Sequence, residues 1–204
     1  MKLFKLLSAG ALMLGAVTAT SAQDTSNSTL SPSFGVKGGV NFATVSGDDL
    51  GNPDSRTSFH AGVFGEFPVA EIFSLQVEAL YSGQGFDLDF EGPDGDKAEV
   101  QLDYINVPVL AKFYLMEGLS IEAGPQFSFL VNDEFDFNPN SDNGDVPLDN
   151  VDINKFDFGV TGGLTFQTAM GLFATARYTQ GLSEIVDNVD AKNAVFQVGV
   201  GYKF

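Results

Sequence analysis

From Phe34 onward the chain alternates apolar with polar or small residues at a period of two, the mark of strands whose two faces meet different surroundings. The first such segment sets Phe34, Val36, Gly38, Val40 and Phe42 against Gly35, Lys37, Gly39 and Asn41. Seven more are centred on Phe59–Phe67, Phe73–Tyr81, Ile105–Leu115, Leu119–Phe129, Phe158–Phe166, Leu172–Tyr178 and Phe196–Phe204. In the fourth, Leu102 and Tyr104 run out of phase with Ile105, Val107 and Val109, so a bulge near Tyr104 and Ile105 is expected. Pro108 in the same segment argues for an irregular ladder, because proline lacks the N–H that a ladder needs.

The connections alternate too. About 12 residues come after strand one, then a short Pro68–Ile72 link, a loop at 86–99, a Met116–Gly118 turn, a loop of about 24 residues, a Gln167–Gly171 turn and a loop at 182–193. Short turns on one side and long loops on the other, with an even strand count, predict an all-β fold: an eight-stranded antiparallel up-and-down transmembrane β-barrel of the outer-membrane type, over 33–204. Both termini join the short-turn side, which is then periplasmic, leaving the long loops external. Phe34, Phe59, Phe67, Phe73, Tyr81, Phe113, Phe166, Tyr178, Tyr202 and Phe204 fall near strand ends on the apolar face, as interfacial girdles require. Outer-membrane lipid is thus the expected surrounding. The competing architecture is a soluble lipocalin-like barrel, in which the same alternation turns its apolar face inward.

The first residues carry a different signal. Lys2 and Lys5 precede an apolar run to about Val17, and Thr20 and Ala22 supply small residues for a cut after Ala22. Residues 1–22 read as a secretory signal peptide, followed by a short segment at 23–32. As a membrane anchor the run is short against the roughly 20 residues that a spanning helix needs. No cysteine is present, so neither a disulfide framework nor a lipid anchor on cysteine is available.

Composition sharpens this picture mainly through charge. The formal net charge is −17, and 19 of the 27 acids lie in 46–57, 86–99, 132–155 and 182–193, stretches that hold only four cations. The charge belongs to the loops. Such a surface repels nucleic acid, itself a polyanion, which excludes that class of partner.

The segments FGVKGGVNFATVSG, LDYINVPVLAKFYL, FDFGVTGGLTFQ, ARYTQGLSEI and FQVGVGYKF, taken in order, resemble the Bacteroidetes outer-membrane β-barrel domain often called the PorT-family barrel. The resemblance spans essentially the whole mature chain and implies fold and location more securely than activity. The alternation Val198, Val200, Tyr202, Phe204 looks like the C-terminal signal read by the barrel-assembly machinery, which makes that machinery an expected partner. An accessory role in protein secretion is one function that the resemblance implies.

Candidate chemistry is sparse. The inward faces carry Glu66, Glu78, Lys112, Glu122 and Arg177, with Lys37, Lys203, His60, Gln76, Gln84, Gln126 and Asp157. Eight strands enclose a lumen just wide enough for side chains to fill, so the five named first are expected to form a buried ionic network rather than line a pore. A passive pore is the rival reading. His60 is the only histidine; it could act as a base with Glu66 or Glu78, but no GxSxG, HExxH or phosphate-binding loop accompanies it, so no catalytic or cofactor-binding residue is assigned and no cofactor is expected. Asp87, Asp89 and Glu91 open a run resembling the start of an EF-hand loop, but Ala98 stands where the closing acid belongs, leaving them weak calcium candidates. The function expected is a non-enzymatic outer-membrane barrel that contributes to envelope structure or presents acidic loops to an external partner.

Overall fold

The computed structural model describes residues 31–47, 54–89, 97–136, 145–147, 154–185 and 191–204; the signal-peptide expectation for 1–22 lies outside them. The elements are β1 (Ser33–Ser46), β2 (Asp54–Ala70), β3 (Phe73–Asp89), β4 (Lys97–Met116), β5 (Leu119–Asp136), β6 (Asp145–Pro147), β7 (Phe156–Gln167), β8 (Leu172–Gly181) and β9 (Lys192–Lys203). Every pairing is antiparallel. Strand β1 pairs with both β2 and β9, and β4 with β5, so the eight long strands close into a barrel in the order β1-β2-β3-β4-β5-β7-β8-β9. Closure leaves no unpaired edge, a requirement for any sheet in hydrocarbon. The three residues of β6 pair with Glu134–Asp136 at the far end of β5.

Which way the faces point decides between the two barrel architectures. Among the described residues, 23 polar or charged side chains are buried against 13 apolar ones, while 30 large apolar side chains are exposed. This inverts a soluble protein. The side chains of β1 show it at close range: Lys37 and Asn41 are buried at 5% and 0% exposure, while Val36 and Val40 beside them stand at 45% and 41%. A lipocalin-like barrel, with its apolar face inward, is excluded.

Aromatic residues collect at both margins of the apolar band. At the end where β1 begins, β9 ends and the short turns lie, called the terminal end below, Phe34 meets Phe67 edge-on and Phe73 lies 4.8 Å from Phe113, with Tyr202 and Phe204 alongside. At the loop end Phe42 stacks on Phe196, Phe59 packs on Tyr81, and Phe129 on Phe156. Phe34 and Phe42 stand eight residues apart on one strand, as do Phe73 and Tyr81. At about 3.4 Å per residue and a tilt near 40°, that is roughly 20 Å along the barrel axis, close to the apolar height of an outer-membrane barrel.

Two local expectations are corrected. On β4 the residues Leu102, Tyr104, Asn106, Pro108, Leu110 and Lys112 all face inward without a slip. The irregularity sits on β5, where Asp103 pairs with Asn132 but Tyr104 pairs with Leu130, leaving Val131 as the extra residue. What changes along β4 is the chemistry of the lumen and not the phase of the strand. The strands also run further than expected: β3 extends to Asp89, β4 begins at Lys97 and β5 reaches Asp136, so much of the predicted loop sequence is paired. Pro108 is accommodated by a lapse in the β3–β4 ladder, which passes from Val77 opposite Val109 to Leu80 opposite Asn106 in unbroken register.

The short turns use glycine where the backbone requires it. Gly118 at φ +80° and Gly171 at φ +87° reverse the chain between β4 and β5 and between β7 and β8, in a region that disfavours residues with a Cβ.

Depth in the band sets the cost of a charge. Val77, four residues from each of Phe73 and Tyr81, is at mid-height, and Val77→Arg is expected to destabilise the bilayer-inserted barrel by about 2–4 kcal/mol, whereas Leu172→Arg at the rim costs roughly 0–1 kcal/mol. Reversible denaturant titration in lipid vesicles measures both.

Candidate functional site

Each inward residue of the barrel is placed by strand alternation, and closure brings residues far apart in sequence onto common levels. Nearest the terminal end, the carboxylate of Glu66 on β2 accepts from Lys112 Nζ on β4 at 3.0 Å, from Lys203 Nζ on β9 at 3.5 Å, and from the Tyr114 hydroxyl. One level deeper, Glu78 on β3 accepts two hydrogen bonds from the terminal nitrogens of Arg177, each 2.6 Å, and one from Lys37 Nζ at 3.4 Å. Arg177 Nε donates to Glu122 on β5, so one guanidinium bridges two carboxylates. Gln76 joins the two levels: its Oε1 accepts from Lys112 at 3.2 Å and its Nε2 donates to Glu78 at 2.5 Å.

The residues Glu66, Glu78, Lys112, Glu122 and Arg177 therefore sit in one hydrogen-bonded network, along with Lys37, Lys203, Gln76 and Tyr114. With Asp157 further up the lumen, the four acids balance the four cations Lys37, Lys112, Arg177 and Lys203. Neutrality matters here because an uncompensated charge inside a packed barrel costs several kcal/mol. Gln76 was legible as an inward residue, but its role as the bridge was not, since strand alternation says nothing about which side chains meet across the barrel.

Above this belt lies a neutral layer. Asn41 Nδ2 donates to the Gly83 carbonyl at 2.7 Å and to Ser82 Oγ at 3.0 Å, which fixes its Oδ1 as the acceptor for Gln197 Nε2 and for His60 Nδ1 at 2.7 Å. His60 is thereby held with Nδ1 protonated and Nε2 bare. Its ring fits because β1 and β9 carry glycine beside it: a Cβ on Gly39 would come within 2.9 Å of His60 Cε1, and one on Gly199 within 2.9 Å of Nε2. The same device seats Phe64 against Gly35 and Phe173 against Gly201. The imidazole is a packed, oriented member of the lumen, and neither Glu66 nor Glu78 hydrogen-bonds to it among the described residues.

Near the loop end the lumen closes differently. Ser183 donates to Asp157 Oδ1 at 2.5 Å and accepts from the Phe158 N–H at 2.8 Å, while Asn193 Nδ2 donates to Asp157 Oδ2 at 3.0 Å and to the Tyr104 hydroxyl at 3.4 Å. Val45, Phe86, Val100, Leu102, Tyr104, Ile185 and Ala191 then form an apolar cluster with Leu130 against it. Sequence reasoning missed this cap. Its signal was the change from polar to apolar inward residues along β4, visible but read as a slip of phase.

Within the belt, a void of about 10 Å³ bounded by Gln76, Lys112, Arg177 and the Phe64–Phe173 pair has room for one water. A wider vestibule of about 570 Å³ opens below it, lined by Ser33, Glu66, Ser74, Tyr114 and Lys203. Of the calcium candidates, Asp87 and Asp89 lie on the extended strand β3, where Asp87 is in register with Asp54 and Glu99, and Glu91 is outside the described residues. Among the described residues no three His, Cys, Asp or Glu side chains converge as a metal site.

Residues 21–187 match the family described as outer membrane protein beta-barrel domain. The chain belongs to that family. Solved structures agree on the fold. Neisserial surface protein A is similar with a TM-score of 0.53 at 15% identity, over 85% of this chain and 99% of that one. Ail, the attachment invasion locus protein of Yersinia pestis, is similar with a TM-score of 0.51 at 16% identity, over 84% and 98%. A search of curated proteins finds no match. The protein is thus a β-barrel of the bacterial outer membrane, and its apolar outer wall is the face that lipid covers.

In a family barrel of this width the belt holds opposite walls together, so its parts are not separable. Arg177→Met strands Glu78 and Glu122 without their shared cation and is expected to cost about 3–5 kcal/mol of unfolding free energy. Replacing Arg177, Glu78, Glu122 and Lys37 together by apolar residues of similar volume recovers most of that loss, since Lys37, whose carboxylate partner is Glu78, is then not left as an unpaired buried charge. Denaturant-induced unfolding in lipid vesicles, compared across the single and quadruple variants, measures the difference.

Proposed function

We propose that the protein is a non-enzymatic, non-conducting outer-membrane barrel whose acidic loop end faces the outside of the cell, serving envelope structure or presenting its loops to an external partner. The observation that carries this reading is the lumen: a hydrogen-bonded ionic belt packed around Arg177 and Glu78, with a void no larger than a water, leaves no path for solute and no open cleft around His60 among the described residues. With the lumen filled and the wall given to lipid, the loop end is where the molecule is free to meet a partner.

The orientation rests on the short turns, the start of β1 and the end of β9 sharing one side, as they do in barrels whose short turns are periplasmic. The reading includes removal of residues 1–22 after export and delivery by the barrel-assembly machinery through the last strand. Phe204, 73% exposed and tied to β1 by its N–H to the Phe34 carbonyl at 2.8 Å, is presented for that recognition. Within the family we place the chain beside the PorT-type barrels of Bacteroidetes, on the five ordered segments that resemble them.

The chain has no cysteine, which makes topology directly measurable. With Asp54→Cys at the loop end and Glu117→Cys in a short turn, a membrane-impermeant maleimide on intact cells should label the first and spare the second; the opposite pattern would overturn the orientation. Purified protein in planar bilayers should show no steady unitary conductance. A stable open level for the unaltered chain would sink the closed-lumen reading.

A further inference from the structure

The apolar chamber at the loop end is unlike the rest of the lumen, and it is filled by a residue that belongs to no strand. Beyond β8 the chain crosses inward: the Leu182 and Ser183 N–H groups donate to the Phe158 carbonyl, Asn154 N–H donates to the Ile185 carbonyl at 2.8 Å, and Ile185 N–H donates to the Ala191 carbonyl at 2.8 Å. This strap puts Ile185, 5% exposed, among Val45, Phe86, Val100, Leu102, Tyr104 and Leu130. Two side chains fasten it. Ser183 bonds Asp157 and the Phe158 N–H, and Asn154 Nδ2 donates to the Glu184 carbonyl at 3.0 Å.

Asn193 borders the same chamber. It pairs in register with Val45, and its Nδ2 reaches the Tyr104 hydroxyl. Because Nδ2 also donates to Asp157, the amide orientation is fixed and Oδ1 is the acceptor; that oxygen is buried and has no hydrogen-bond partner among the described residues, in a residue only 2% exposed. A buried acceptor left unmatched is costly, so the site is one donor short.

We propose that this chamber is a binding site for a short alkyl chain ending in a hydroxyl, with Ile185 as the chain's own removable occupant. The alkyl part takes the place of the Ile185 side chain against Leu102 and Val100, and the hydroxyl donates to Asn193 Oδ1. The strap moves out as the ligand enters, releasing Ser183 from Asp157. An apolar space vacated by the Ile185 side chain favours an apolar guest over water. A lipid acyl tail offers the alkyl part without the hydroxyl, and the test separates it from an alcohol.

Hexan-1-ol is the probe, and its isomer 1-methoxypentane the control, equal in size but without a donor. The protein is placed in nanodiscs of chain-deuterated phosphatidylcholine and followed by nuclear Overhauser contacts to the methyls of Val45, Val100 and Leu102. Saturable contacts from hexanol, with faster hydrogen exchange at the Ile185 amide in the unaltered chain, are expected. The ether should bind about tenfold more weakly, the effect of leaving one buried acceptor unsatisfied. Ile185→Ala should bind hexanol more tightly because nothing need be displaced. Ser183→Ala, which only loosens the strap, serves where that variant fails to fold. Contacts from acyl chains in nanodiscs of protonated lipid, without added alcohol, would overturn the hydroxyl requirement, since an acyl tail carries no donor for Asn193 Oδ1. If hexanol reaches none of these methyls in the unaltered chain or either folded variant, or if the ether binds as well as the alcohol, the proposal is overturned.

Discussion

A bilayer offers peptide groups no hydrogen-bond partner, and the rest of this molecule depends on that single constraint. A sheet can satisfy every backbone N–H and C=O in hydrocarbon only by closing, and here closure is completed by β1 against β9 and β4 against β5. Once closed, each strand has one face in lipid and one in a narrow lumen. The two-residue period of a strand then sorts side chains without further instruction, and aromatic residues settle where the wall meets water.

Closure also creates the problem that the ionic belt resolves. Eight strands leave a space too narrow for a water column and too polar, in this sequence, for simple apolar packing. Arg177 meets it by reaching from β8 to carboxylates on β3 and β5, and Lys112 and Lys203 do the same for Glu66. Glycines on β1 and β9 leave room for His60, Phe64 and Phe173 opposite or beside them, so large and small residues alternate around the wall. The result is a molecule whose centre is committed to holding its walls in register. Its freedom to interact lies at the ends.

At those ends the lumen is not uniform. The terminal mouth is an open polar vestibule floored by Glu66, while the loop mouth is apolar and covered by a strap that carries Ile185. This asymmetry distinguishes the barrel from a symmetric plug and gives the loop end a chamber of its own.

Much of the fold was legible in the sequence. Strand number, the inward or outward phase of most segments, the end at which each connection lies and the chemistry of the lumen all come from a period-two pattern read against a closed barrel. Girdle residues such as Phe34 and Tyr81 were legible because depth along a strand is counted in residues. Phe42 and Phe196 were not, because their partnership across β1 and β9 depends on register. The apparent slip at Tyr104 shows the limit most clearly. An apolar residue in a strand can face lipid or a dry chamber, and local sequence does not distinguish them. By itself, then, the sequence determined which residues enter most of the lumen, because alternation is a property of the single strand. Only the tertiary structure decided which of them meet. Contacts such as Arg177 with Glu78, 99 residues apart, or Asn193 with Tyr104, 89 apart, are set by closure and stagger, which belong to all eight strands together.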